Sequence, residues 1–269
     1  MTSQYHFVLL HGGCFGAWTW FSIEARLQKA GHKVTALDFA GAGIHPAEPN
    51  DIATFDEYHK PALDFFESLP ENPEEKVVLV GHSMAGFALA QLMERFSHKI
   101  SFAVFIAAVL SGSGVSLNDD TPLYAIMTSQ ESPSTHAIQF QFRNGVEKPP
   151  TSFYYPTSTL KHIFFSEFDS EDMVVLASKL CRPYPMEMLS TAFTYTKEKY
   201  GQVPSVYIKY SNDNTFTPPA QEYVSSKYGP FKEIIEIEGG HFNYLKRPDE
   251  FIQLLESLAK KYIGEEKSA

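Results

Sequence analysis

Three residues far apart in the chain, Ser83, Asp213 and His241, are of the types that together make a serine hydroxyl nucleophilic. Serine at its free pKa attacks carbonyls poorly and needs a base to take its proton. Histidine is the usual base, and a carboxylate orients it and steadies the charged ring. Ser83 sits in Val80-Gly81-His82-Ser83-Met84-Ala85-Gly86, after the apolar run Val77–Val80 and before Phe87–Met93. A strand, a tight turn carrying serine and a helix form the setting of a nucleophile elbow. The small neighbours two positions away are Gly81 and Ala85, the second a one-methyl departure from the usual glycine. The plain alternative is a serine capping an ordinary helix, which Ser83 alone would not exclude.

The elbow places Ser83 at a helix N-terminus, where free N–H groups favour negative charge. The N–H of Met84 is then a natural oxyanion donor, and a second is expected from the glycine-rich loop His11-Gly12-Gly13-Cys14-Phe15-Gly16, at Gly13. Gly12, Phe15 and Phe242 are further candidates for touching a substrate. Of ten histidines, His241 is best placed, in Glu238-Gly239-Gly240-His241-Phe242. Two glycines let the chain turn sharply after a strand. His11 and His82 neighbour the motif and read as packed, hydrogen-bonded residues. Asp213 lies in Ser211-Asn212-Asp213-Asn214, just past another strand, though Asn-Asp-Asn is also good turn chemistry. The order serine, aspartate, histidine along the chain matches one of the known arrangements of this triad.

The sequence shows no H-E-x-x-H, no paired C-x-x-C, no Walker lysine and no G-x-G-x-x-G spacing. No metal and no cofactor are expected. The net charge of −10 repels phosphate backbones and anionic lipid, so neither nucleic acid nor membrane is an expected partner. The expected partner is a small-molecule ester, and a homodimer is left open. Two cysteines, Cys14 and Cys181, make no disulfide framework. With no signal peptide visible, a cytoplasmic protein is expected.

The elements that must position these residues follow from hydrophobic pattern. Phe7–Leu10, Lys33–Leu37, Lys76–Val80 and Phe102–Ile106 read as buried strands separated by helices. The rhythm returns at Ser205–Tyr210 and Lys232–Ile237, and a last amphipathic helix is predicted over Pro248–Tyr262. Unbroken apolar strands alternating with helices predict an α/β fold with a mostly parallel, doubly wound sheet. Residues 1–110 and 201–269 are expected to form its core. From 111 to 200 the rhythm fails, which predicts a helical cap insertion. Its aromatics, Phe140, Phe142, Phe153, Tyr154, Tyr155, Phe164, Phe165 and Phe168, can form the cap's own core or line an apolar pocket.

With these motifs placed, the chain resembles the plant methylesterase and hydroxynitrile lyase group of the α/β-hydrolases. The matching stretches are His6–Cys14, Gly31–Asp38, Lys76–Ser83 and Lys99–Phe105, with Ser170-Glu171-Asp172 and Arg182-Pro183 in the cap. The resemblance covers nearly the whole chain and implies a triad of Ser83, Asp213 and His241. Lyases of the group carry threonine after the first histidine and lysine after the catalytic one; this chain has Gly12 and Phe242. An esterase is therefore expected, and His11–Cys14 is particularly similar to the branch that cleaves alkaloid methyl esters whose acids then lose carbon dioxide. The readings to be weighed against it are a hydroxynitrile lyase and a non-enzymatic receptor on the same fold. Ala85 departs from the family pattern, as do Gly240, where aspartate is usual, and a loop after Asp213 that is one residue longer.

Overall fold

In a computed structural model, residues 4–72, 75–129, 137–229 and 231–266 are described. Strands β1 (His6–Leu10), β2 (Lys33–Leu37), β3 (Val77–His82) and β4 (Ile100–Ile106) come first. Between them run helices α1 (Phe21–Lys29), α2 (Phe55–Ser68) and α3 (Gly86–Phe96). Then follow α4 (Thr121–Met127), β5 (Gln139–Gln141), β6 (Ser152–Tyr154), α5 (Thr157–Ile163), α6 (Asp172–Leu180) and β7 (Tyr184–Pro185). The chain ends with β8 (Ser205–Tyr210), α7 (Pro218–Lys227), β9 (Glu233–Ile237), α8 (Asn243–Lys246) and α9 (Pro248–Glu266).

Six strands form one parallel sheet in the order β2-β1-β3-β4-β8-β9. Every residue of β3 and β4 is buried, as expected for strands covered on both faces. At the edge, β9 alternates part-buried and exposed residues, and Ile234 is 47% exposed. The third predicted strand reaches two residues further than its apolar run, to His82, because Gly81 and His82 continue pairing with Phe105 and Ile106. That extension carries the chain to Ser83 at the carboxyl end of the sheet, where ligands bind in open α/β folds.

The segment between β4 and β8 is the insertion. It is not purely helical: β5, β6 and β7 form a small antiparallel sheet beside its helices. Phe140 and Phe153 face each other across that ladder, a pairing that suits aromatic, β-favouring sequence. Polar ties seat the insert on the core. Thr151 Oγ1 and Ser152 Oγ donate to Asn50 Oδ1 at 2.6 and 2.9 Å, and Arg182 donates its backbone N–H to the Cys14 carbonyl at 2.9 Å. The Arg182 guanidinium reaches the carbonyls of His45 and Ala47. Apolar side chains of the insert, among them Leu117, Leu123, Leu160, Phe165 and Leu189, belong to the same buried cluster as the sheet.

Candidate active site

Ser83 has φ 57°, in the left-handed region. For a non-glycine residue such a conformation costs of order 1–3 kcal/mol and persists only where its surroundings impose it. Those surroundings are tight. A Cβ on Gly81 would lie 2.7 Å from Leu89, and one on Gly86 would lie 2.1 Å from the Val109 carbonyl oxygen. The small residues that let strand and helix close around the serine are thus Gly81 and Gly86. Ala85 is fully buried with its methyl accommodated, so the departure noted in the sequence lies where the packing does not need glycine. The Ser83 carbonyl accepts the Val109 N–H at 2.9 Å, which ties the elbow to the chain leaving β4.

The loop after β1 is fixed by a buried histidine. His11 Nε2 accepts the Phe39 N–H at 3.1 Å, so its Nδ1 carries the ring proton and donates to the Gly12 carbonyl at 2.8 Å. Burial holds the His11 pKa down to about 4, in keeping with this neutral tautomer. The Phe15 N–H also donates to the Gly12 carbonyl, at 3.3 Å. Carbonyl and N–H of one trans peptide point in opposite directions. Anchoring Gly12 C=O therefore turns the Gly13 N–H the other way, and Gly13 lines a cavity together with Ser83 and Met84. Met84 lies in the first turn after the elbow, where N–H groups have no intrahelical acceptor. Two N–H groups placed beside a serine hydroxyl can hold a developing oxyanion.

His241 Nδ1 donates to Asp213 Oδ2 at 2.7 Å, and both side chains are buried. The other Asp213 oxygen accepts the N–H groups of Thr215 (2.7 Å) and Phe216 (3.0 Å), while Gln221 Nε2 reaches Oδ2 at 3.3 Å. Four donors converge on one carboxylate and fix its plane. Gln221 also accepts the Tyr210 N–H and donates to the Phe216 carbonyl, so it closes the loop around Asp213. With Nδ1 committed to Asp213, Nε2 is the His241 atom left to act as a base. The His241 ring packs 4.3 Å from the ring of His82, the residue before Ser83. No hydrogen bond joins Ser83 to His241 among the described residues; such contacts often tighten only when substrate binds. Among the described residues no well-formed hydrogen bond reaches either buried His82 ring nitrogen. Burial, and then the neighbouring His241, push the His82 pKa well below its usual value and keep the ring neutral.

The cavity beside Ser83 has a volume of about 250 Å³ and is mostly apolar. Five of the insert's aromatics line it: Tyr124, Phe140, Phe153, Tyr155 and Phe164. Its few polar side chains are neutral, Asn118 and Thr215 among them, and none of its described lining residues is charged. Gly12 lies against Ser83 itself. Phe15 and Phe242 sit elsewhere. Both are about 1% exposed, their ring centroids are 4.7 Å apart, and they pack behind the cavity against Phe164 and Phe165 rather than lining it. An aromatic residue next to a catalytic motif gives no sequence signal for which way its ring points. Gln221 was also invisible in sequence, since its role depends on a helix folding back over the Asp213 loop.

Gly240 donates its N–H to Glu167 of the insert at 2.5 Å. Among the described residues no group of three or more His, Cys, Asp or Glu side chains is placed to hold a metal ion. No helix among them is long and apolar enough to cross a membrane.

The profile of the alpha/beta hydrolase family matches residues 7–254. Methylesterase 10 of Arabidopsis thaliana is 37% identical over 265 residues, which span 96% of this chain and 93% of that protein. Polyneuridine aldehyde esterase of Rauvolfia serpentina is 35% identical, with 94% of each chain covered. The crystal structure of tomato methylketone synthase I complexed with 2-tridecanone superimposes with a TM-score of 0.85 at 30% identity, covering 97% of this chain and 99% of that one.

Proposed function

The chain belongs to the alpha/beta hydrolase family, within its plant methylesterase group, and from that premise we propose that it cleaves a neutral, largely apolar methyl ester with Ser83 as nucleophile. It is a carboxylic ester hydrolase; the substrate and the residue roles are our reading. The observation that carries the roles is the strained Ser83, lining one cavity with Gly13 and Met84, with a buried His241–Asp213 pair against the preceding residue.

In this mechanism His241 Nε2 takes the Ser83 proton as Oγ attacks the ester carbonyl. Asp213 steadies the imidazolium, and neutral His82 adds no opposing charge beside it. The carbonyl oxygen, now an oxyanion, receives the Gly13 and Met84 N–H bonds. His241 returns the proton to the leaving oxygen and methanol departs. Water then attacks the acyl-serine by the same relay, releasing the acid and restoring Ser83.

The cavity supports a neutral acyl group, because no lining carboxylate would meet an ammonium and no lining cation would meet a second carboxylate. The long apolar ketone held by tomato methylketone synthase I fits this reading. A β-formyl alkaloid ester, whose freed acid would lose carbon dioxide, is the competing reading, carried by likeness to polyneuridine aldehyde esterase; its basic amine, protonated near neutral pH, would meet no carboxylate among the described lining residues of this cavity. We place the protein in the cytoplasm. Its two thiols are unpaired, as a reducing compartment would keep them, although a similar Arabidopsis thaliana relative is named as chloroplastic.

The test is methanol release from a panel of methyl esters, running from aliphatic and aromatic acids to alkaloid aldehydes, with Ser83→Ala as control. Turnover of neutral apolar esters should fall by about 10⁶ in the variant. Equal hydrolysis by wild type and variant would remove Ser83 from the mechanism. Turnover confined to cationic esters would overturn the substrate class.

A further inference from the structure

Gly239 and Gly240 precede His241, and a glycine pair is the least constrained backbone a chain can offer. Yet a base must be held within a fraction of an ångström to act. The peptide joining the two glycines is gripped at both ends. Its carbonyl, on Gly239, accepts the Asn212 N–H at 3.0 Å, which ties it to the Asp213 loop. Its N–H, on Gly240, donates to Glu167 Oε2 at 2.5 Å. A Cβ on Gly240 would come within 3.0 Å of that same carboxylate oxygen, so the missing side chain makes room for the carboxylate to approach.

Glu167 belongs to a strap of the insert, residues 163–169, that runs over the whole histidine loop. The Ile163 carbonyl accepts Thr215 Oγ1 at 3.2 Å, beside Asp213. Phe164 lines the cavity and lies 5.8 Å from the His241 ring. Phe165 stacks on Phe242 at 5.2 Å. Asp169 pairs with Lys246 of α8 at 2.9 Å. Within the strap, Glu167 alone makes a charge-assisted bond to the backbone immediately before the base, and such bonds are about twice as strong as neutral ones.

We propose that Glu167 is a positioning residue for His241. Its carboxylate, clamped on the Gly239–Gly240 peptide, sets the base against Asp213 and Ser83, so the histidine is aligned only when the insert is seated. The inference rests on the esterase reading for its catalytic consequence, but not for the clamp itself.

Two measurements on the full chain test it. Hydrogen exchange over residues 238–243 reads the clamp without any substrate. Exchange should be about tenfold faster in Glu167→Ala, the equivalent of one lost hydrogen bond to a charged group. Wild-type exchange in that variant overturns the proposal even if no ester proves to be a substrate. Steady-state hydrolysis and fluorophosphonate labelling of Ser83 read the consequence. In Glu167→Ala, kcat and labelling rate should fall by about 10- to 100-fold with KM changed less than about twofold. Glu167→Gln, whose amide oxygen can accept the same N–H, should recover most of the loss. Gly240→Ala should resemble Glu167→Ala, and the double variant should be no worse than either single one. A loss confined to KM, a loss that tracks thermal unfolding, or no rescue by glutamine would each overturn it. Failure of the esterase reading is separate: it would appear as unlabelled wild-type Ser83 with normal protection at 238–243.

Discussion

Gly12 lies directly against Ser83: a Cβ at residue 12 would stand 3.0 Å from the Ser83 Cβ and 3.4 Å from its Oγ. Ser83 is held by the elbow and cannot retreat, so an added methyl must push the hydroxyl or the loop that carries Gly13. Gly12→Ala should lower kcat by about tenfold, the cost of a small misplacement of the reacting atom. Folding stability should change little. Steady-state kinetics beside a thermal melt checks both, and unchanged kcat would show that the loop yields without moving Gly13.

Packing at the elbow predicts opposite outcomes at adjacent positions. Gly86→Ala drives a methyl onto the Val109 carbonyl, 2.1 Å away, and should cost about 3 kcal/mol or prevent folding. Ala85→Gly should cost only about 0.5–1 kcal/mol and keep activity. Denaturant unfolding of the two variants, with activity assayed on whatever remains folded, separates them.

Stability should fall on the acid side of neutrality. Burial holds His11 and His59 down to about 4 and His82 well below 6.5, whereas in the unfolded chain they titrate near 6.5. Below pH 6.5 the unfolded state therefore binds protons that the folded state refuses. These groups leave stability untouched above about pH 7 and lower it as pH falls from 6.5 toward 4. Each contributes up to about 1.4 kcal/mol per pH unit. A melting series across that range should slope accordingly; a flat series would mean that one or more of these rings charges in place.

The two thiols should be slow to react. Burial raises Cys14 well above its usual pKa of 9 and Cys181 to about 12, and only thiolate is nucleophilic. At pH 8 a disulfide reagent should titrate both cysteines rapidly in denaturant and neither within minutes in the native protein. Fast native labelling of Cys14 would mean that the loop bearing Gly13 opens readily.

Much of the candidate site was legible in sequence because its parts are local. Ser83, Asp213 and His241 each follow an apolar run and sit among turn-forming residues, so type, spacing and chain order sufficed to select them. The parallel sheet was legible for the same reason: strands buried on both faces leave unbroken runs of Val, Ile and Leu. What escaped was set by contacts between distant segments. The importance of Gly86 over residue 85 depends on where the chain passes after β4. The short antiparallel ladder in the insert, with strands of two or three residues, is too brief for a period-two pattern to stand out. The inward or outward facing of Phe15 and Phe242 is decided by packing against a strap 150 and 77 residues away.

The insert leaves after β4 and returns before β8, and those two strands are hydrogen-bonded neighbours, Ala103 opposite Ser205. Because the two strands run parallel, the chain leaves at the carboxyl edge of the sheet and must cross back to its amino edge before β8, so the insert doubles as the crossover between them. Lengthening or reshaping the part that stays above the carboxyl edge need not pry the scaffold apart, so long as the stretch that crosses back to β8 is kept. Molecular recognition can drift in this chain while bond-breaking parts stand still, provided that whatever replaces the strap still reaches the backbone ahead of the histidine.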